Sequence, residues 1–305
     1  MSASMTSAVP FAEWMEQVQS RMEQALETLL PDAAAPEPLR QAMRYAVLDG
    51  GKRVRPLLVF AAGALFEAPA EALARCAAAV EMIHAYSLVH DDMPCMDDDA
   101  LRRGKPTVHK RYDEATALLA GDALQAQAFL VLADGASADP ARQLAMLRLL
   151  AQAAGAAGMC GGQAIDLASV GKSLSLAQLE RMHQLKTGAL LRASVLLGAM
   201  CGQALSAAET AALEAYAHAI GLAFQVVDDV LDATADSATL GKTAGKDAAD
   251  NKPTYVSILG LEQSRVLAEQ LREDAHRALA HFDAHFDGKA RRLRELADLI
   301  VQRKA

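Results

Sequence analysis

The sequence predicts an all-α fold, on three observations. Alanine dominates a chain that is 52% hydrophobic but only 4% aromatic, a mix that suits close-packed helices and supplies few of the β-branched and aromatic residues a sandwich or barrel needs. Apolar residues recur at three- and four-residue spacing through most of the 305 residues, and no stretch alternates long enough to read as a strand. Breakers divide the chain into about ten helical stretches.

In order, these run over approximately 11–30, 37–49, 54–67, 71–92, 113–133, 139–158, 174–200, 206–232, 253–283 and 287–303. Gly50–Gly51 ends the second, and Pro56 suits the first turn of the third. Pro94 stops the fourth, because proline cannot continue the backbone hydrogen bonding. The stretches 174–200 and 206–232 carry little polar face and are expected to be buried on all sides. With no long linker, solenoid repeat or low-complexity tail, residues 1–305 read as a single domain.

Composition also excludes. A net charge of −8 leaves no strongly basic face for nucleic acid. Cys76, Cys95, Cys160 and Cys201 are scattered without a CxxC pair, as expected of reduced, mostly buried thiols. The opening MSASMTSAVPFAEW lacks the basic and apolar regions of a secretory signal. No apolar run is expected to reach membrane-spanning length, since the best candidate, LLRASVLLGAMCGQAL, is broken by Arg192 and Gln203. A soluble, cytoplasmic protein is the expectation.

Function becomes legible where charges sit at the wrong ends of helices. The fourth helix ends in HDDMPCMDDD, with Asp91 and Asp92 in its last turn and Asp97, Asp98 and Asp99 just beyond Pro94. A helix C-terminus favours cations, and these carboxylates also repel one another. The stretch 206–232 ends in QVVDDVLD, where Asp228 and Asp232 share a face beside Asp229. Such hard oxygen ligands suit Mg²⁺, with water and substrate phosphates completing the coordination. A calcium EF-hand fits poorly, because DDMPCMDDDALR lacks the central glycine and closing glutamate. Lys52, Arg53 and Arg55 present the converse conflict at a helix N-terminus, where a bound anion would relieve it. Arg102, Arg103 and Lys105 follow the first aspartate cluster, and Lys242, Lys246 and Lys252 follow the second. Neither GxxxxGK[ST] nor GxGxxG occurs. The pattern points to one diphosphate clamped through metals and another clamped directly by cations.

These motifs resemble the short-chain trans-prenyl diphosphate synthases, and within them the bacterial type that makes farnesyl diphosphate. HDDMPCMDDDALRRGKPT resembles the first aspartate-rich motif with its paired arginines, and QVVDDVLD the second. GGKRVRP, Lys186–Thr187–Gly188, GGQAID, GKTAGKD and DNKPT fall in the same order, so the similarity runs from about residue 40 to the C-terminus. The resemblance implies an isoprenoid synthase fold, a helical bundle around a central cavity, in a homodimer. Asp91, Asp97 and Asp228 would ligate three Mg²⁺ ions, with Mn²⁺ as an alternative, while Asp92, Asp229 and Asp232 would be ligands or supports. Arg102, Lys186, Lys242 and Lys252 would meet the allylic diphosphate (dimethylallyl or geranyl), with Thr187 and Gln225 lining the reacting centre. Lys52, Arg55, His84 and Arg103 would grip isopentenyl diphosphate. Gln163 and Asp166 would stand behind these groups, and Arg303 and Lys304 would close over the isopentenyl site. A terpene cyclase would lack the GGKRVRP clamp and the second DDxxD, and a non-catalytic partner subunit would have eroded aspartate motifs.

Product length is expected to depend on residues preceding Asp91. Ser87 lies about 6 Å below it and rotated about 40°, Tyr86 about 7.5 Å below and rotated about 140°. A small Ser87 admits the tail while the Tyr86 ring narrows the space beneath. Together with the two-residue expansion in DDMPCMD, this resembles farnesyl-length members, so C15 is favoured over C20 or C10. Packing of the tyrosine against a neighbouring helix is the competing expectation.

Overall fold

The computed structural model describes residues 9–32, 34–48, 50–137, 139–234, 252–283 and 288–303. Lys242, Lys246 and Lys304 lie outside the described residues. The fold is all-α, as expected. The backbone divides into two compact units, residues 1–147 with 197–203, and residues 148–196 with 204–305.

The first unit contains α1 (Phe11–Leu29), α2 (Glu37–Val47), α3 (Val54–Leu65), α4 (Ala70–Asp91), α5 (Val108–Arg111), α6 (Glu114–Ala133) and the start of α7 (Pro140–Ala154). Its core is the interior of α3 and α4, including Leu57, Leu58, Val59, Ala77, Val80, Met82 and Ile83. Glu81 is also buried there, facing the equally buried Arg53 at 2.7 Å. Arg53 precedes α3 with a left-handed backbone (φ 49°). Its guanidinium also donates to Glu23 and to the Val47 carbonyl. Its helix-end conflict is therefore met by internal carboxylates, which corrects the expectation that a bound anion meets it. The absence of strands needs one small correction: Leu101–Arg102 pairs antiparallel with Lys105–Pro106. Asp113 then caps α6 by accepting the Thr116 N–H at 2.7 Å.

The second unit contains α8 (Met159–Ser169), α9 (Leu176–His183), most of α10 (Ala189–Gly202), α11 (Ala207–Thr234), α12 (Tyr255–Leu259), α13 (Leu261–Ala278) and α14 (Arg291–Gln302). A Ser175–Gln178 capping box starts α9, and a Thr254–Ser257 box starts α12. The stretch expected as one helix over 174–200 is interrupted by a π turn at Gln184–Gly188. Helix α8 was not anticipated, because its glycines read as breakers. Gly260, at φ 82°, splits the expected 253–283 helix.

Two other expectations change. Cys76 and Cys201 are buried, but Cys95 and Cys160 are exposed. Four helical stretches, 70–91, 114–133, 140–169 and 176–202, are long and apolar enough by composition to cross a membrane. Their alanines raise hydropathy without adding bulk, and in 70–91 some 72% of the apolar window is buried within the protein.

Candidate active site

In the first unit the chain folds back on itself at the end of α4. The Asp97 N–H donates to the Asp91 carbonyl at 2.8 Å, and the Asp99 N–H to that of Asp92 at 3.2 Å. Asp91 and Asp97 are thereby brought together by backbone bonding, both half-buried. Asp92 differs: it is buried, and Arg102 donates Nε to its Oδ1 at 3.0 Å with Nη2 on the same oxygen. Burial pushes the Asp92 carboxyl above its ordinary pKa, against the pull of Arg102. Burial also works against the Arg102 charge, but Asp92, Asp99 and Asp91 outweigh it and raise the guanidinium's pKa. Arg102, expected to meet a diphosphate, is here engaged by Asp92.

Beside this cluster lies a cleft of about 310 Å³, whose lining includes Tyr45, Gly51, Asp92, Arg102 and Arg103. Arg103 sits in the turn of the short hairpin at φ 52° and donates Nη1 to the Gly50 carbonyl at 3.0 Å. Its guanidinium covers Gly51, where an added Cβ would stand 2.5 Å from Nη1 and where φ is 101°. The guanidinium tip could shift away from a methyl group, but the left-handed backbone favours glycine. Lys52 is exposed and Arg55 and His84 are half-buried. The His84 imidazole is held well below its usual pKa, first by burial and then by Arg55, Arg103, Arg102 and Arg53. It is neutral at pH 7 amid a concentration of positive charge. Further along α4, Tyr86 is 4% exposed with its ring against His90, and the Ser87 hydroxyl donates to the His84 carbonyl at 2.9 Å.

In the second unit, Asp228 on α11 accepts from Arg303 Nη2 at 2.6 Å. The same guanidinium donates to the Phe224 carbonyl and lies 4.0 Å over the Phe224 ring. Arg303, expected to close over an isopentenyl site, is seated on Asp228. Asp229 is buried and accepts the Tyr255 N–H at 2.7 Å, satisfying a donor at the start of α12. Asp232 and Lys252 are half-buried. Lys186 and Thr187 occupy the π turn, a distortion that recurs at functional sites. Lys186 Nζ lies 2.5 Å from Asp166 Oδ2, and the Thr187 hydroxyl donates to Gln225 Oε1 at 2.7 Å. Helix α8 reaches the turn through Gly162, where a Cβ would meet the Lys186 backbone. The Gln163 amide is buried with no hydrogen-bond partner among the described residues.

Two residues at this site were missed from sequence. His183 stacks on Tyr255 at 5.5 Å between ring centroids and is lowered to a pKa of about 4, chiefly by burial. The stack joins the residue before the π turn to the one that bonds Asp229. Position alone, three residues before Lys186 and three after Lys252, was the only available hint.

No three His, Cys, Asp or Glu side chains among the described residues converge tightly enough to hold a metal unaided. Within each unit, though, cations gather beside half-buried carboxylates. That arrangement can take up anions directly or through a hard metal ion.

The polyprenyl synthetase family model matches residues 36–284. A probable farnesyl diphosphate synthase of Bradyrhizobium diazoefficiens is 52% identical over 272 residues, covering 88% of this chain and 81% of that protein. The farnesyl diphosphate synthase of Escherichia coli is 47% identical over 297 residues, covering 96% of this chain and 99% of its own. Among solved structures, a Helicobacter pylori geranyltransferase complexed with magnesium and isoprenyl diphosphate superposes with a TM-score of 0.86 at 32% identity, covering 98% of this chain and all of that one.

Proposed function

Because the chain belongs to the polyprenyl synthetase family, we propose that it condenses dimethylallyl and then geranyl diphosphate with isopentenyl diphosphate to give (E,E)-farnesyl diphosphate, releasing diphosphate each time. The observation that carries this reading is the 47% identity, along nearly the whole of both chains, to the farnesyl diphosphate synthase of Escherichia coli. The family match crosses both compact units, which supports reading residues 1–305 as one catalytic domain.

The donor set fits Mg²⁺. Asp91 and Asp97 are paired by backbone bonding, and both, like Asp228, offer only hard oxygens. Asp228 already accepts a cation, the Arg303 guanidinium. The solved Helicobacter pylori relative contains magnesium and isoprenyl diphosphate. Asp91, Asp97 and Asp228 would hold three Mg²⁺ ions, or Mn²⁺, with Asp232 nearby on α11. Asp92 and Asp229 are taken up by Arg102 and by the Tyr255 N–H, which supports roles behind the ligands. Bound Mg²⁺ would supply positive charge to a leaving diphosphate.

The chain's own residues then do the following. Lys186 keeps two ammonium donors beyond the one it gives Asp166, and with Lys242, Lys252 and Arg102 it meets the allylic diphosphate. As the C–O bond breaks, both electrons leave with the diphosphate, and these cations stabilise that charge. Thr187 and Gln225, fixed by their mutual bond, line the reacting centre, while Asp166 and Gln163 stand behind the turn. Lys52, Arg55, Arg103 and neutral His84 grip isopentenyl diphosphate and hold its double bond toward the allylic carbon. The π electrons form the new C–C bond, and a proton is lost to the departing diphosphate, so no protein base is required.

The chain forms a homodimer in this reading, supported by Leu118, Leu119, Leu130 and Leu144, which are 48–68% exposed on α6 and α7. It is likewise read as cytoplasmic and not membrane-spanning, supported by the burial of α4 and by four free cysteines. Incubating the purified chain with Mg²⁺, isopentenyl diphosphate and dimethylallyl diphosphate tests the reading: C15 diphosphate accumulates if it holds, and no turnover overturns it.

A further inference from the structure

The Tyr86 ring is not positioned by its own helix alone. Tyr86 and His90 are four residues apart on α4 and share a face. Their rings meet edge to face, with centroids 5.8 Å apart at 77°. The imidazole is itself held from α6: its Nε2 lies 3.0 Å from the Leu118 backbone carbonyl, so that nitrogen carries the proton. On the same stretch of α6 stands Gly121. A Cβ there would run into His90 Nε2 and lie 2.8 Å from Cε1. Glycine is a poorer helix former than alanine. Alanine, leucine and glutamine fill most of the surrounding positions in α6, so what Gly121 provides is room for the ring. The carbonyl thus fixes the imidazole's direction, the missing methyl fixes its depth, and the edge contact passes both to Tyr86.

We propose that His90 is a positioning residue for product length: seated between Leu118 and Gly121, it sets where the Tyr86 ring stands and so how long a chain is accommodated. This rests on the reading in which Tyr86 bounds the growing farnesyl chain. His90 acts only through Tyr86. Removing the imidazole takes its edge contact away from the tyrosine ring, and adding a methyl at Gly121 drives the imidazole off its seat.

The test is a set of product distributions from Tyr86→Ala, His90→Ala, Gly121→Ala and the doubles pairing each of the last two with Tyr86→Ala. Each variant is given isopentenyl and geranyl diphosphates with Mg²⁺, and the dephosphorylated alcohols are separated by chromatography. Tyr86→Ala is expected to raise the C20:C15 ratio several-fold. His90→Ala moves it the same way, and Gly121→Ala also alters it. Neither changes it further in the Tyr86→Ala background, the non-additivity expected of residues acting through one ring. If Tyr86→Ala lengthens the product while the two single variants keep the wild-type distribution, the proposal fails and the Tyr86 reading stands. Effects of His90→Ala or Gly121→Ala that persist undiminished without the tyrosine also overturn it. Unchanged product from Tyr86→Ala removes both. Should His90→Ala not fold, Gly121→Ala, which leaves the histidine in place, carries the same decision.

Discussion

Gly162→Ala is the substitution whose consequences the geometry limits most tightly. An added methyl would meet the Lys186 amide nitrogen and lie 2.5 Å from its Cα and 2.7 Å from the Leu185 carbonyl carbon, where ordinary contact begins near 3.4 Å. These are backbone atoms, so no rotamer change relieves the overlap. Either α8 or the π turn must give by about 1 Å in an interior packed like an organic crystal. Overpacking of this kind costs about 1–3 kcal/mol, and alanine's better helix propensity returns only part of that. A net loss of about 2 kcal/mol lowers Tm by roughly 3 °C in a chain of 305 residues. The larger effect falls on activity. The turn carries Lys186, held by Asp166, and Thr187, held by Gln225. Misplacement of binding groups by about 1 Å costs on the order of 10²-fold in rate. Thermal melts with steady-state kinetics, varying geranyl diphosphate at saturating isopentenyl diphosphate, read both effects. Wild-type kcat in a protein with lowered Tm would refute the coupling of α8 to the turn's chemistry, and an unchanged Tm would refute the close packing itself.

Three further outcomes follow from the same contacts. Asp91→Asn and Asp228→Asn each lower kcat by at least about 10²-fold, the scale of losing an electrostatic contributor at the transition state. Circular dichroism should show the fold retained, and normal turnover in both would remove the metal assignment. Arg55→Ala raises KM for isopentenyl diphosphate more than for geranyl diphosphate, because a phosphate-binding guanidinium makes charge-assisted hydrogen bonds; equal effects in initial-rate kinetics would place Arg55 elsewhere. His183 has a folded pKa of about 4 against an ordinary 6.5, so its contribution is intact above pH 6.5 and is lost as pH falls toward 4. That loss amounts to about 2 kcal/mol at pH 5. His183→Phe, which keeps a ring on Tyr255, narrows the gap between melts at pH 7 and pH 5, and an unchanged gap would contradict the assignment.

The aspartate clusters were legible because they break a local rule: like charges accumulate at helix C-termini, and no folding argument alone puts them there. Arg53 broke a local rule too, yet its partners Glu23 and Glu81 lie 30 and 28 residues away, a separation that no local pattern reveals. Helix α8 was hidden because its glycines look like punctuation, whereas Gly162 is inside the helix to admit the Lys186 backbone. The π turn left no trace in periodicity, since a single-turn bulge keeps the apolar spacing on either side nearly helical. The His183–Tyr255 stack joins residues 72 positions apart, and the Arg303–Asp228 pair residues 75 apart. Tyr86 was singled out as a ring narrowing the space below Asp91, with burial as the competing expectation; the ring is buried, and the His90 it meets is held from α6.

The account's central claim is that this single chain lengthens an allylic diphosphate to C15. The most direct measurement supplies the purified protein with Mg²⁺, dimethylallyl diphosphate and excess isopentenyl diphosphate, and follows diphosphate release alongside chromatography of the dephosphorylated products. The account predicts farnesol as the dominant alcohol, two diphosphates released per farnesyl chain, and loss of both signals when the metal is chelated. A cyclised hydrocarbon, or no product until a second protein is added, would contradict it.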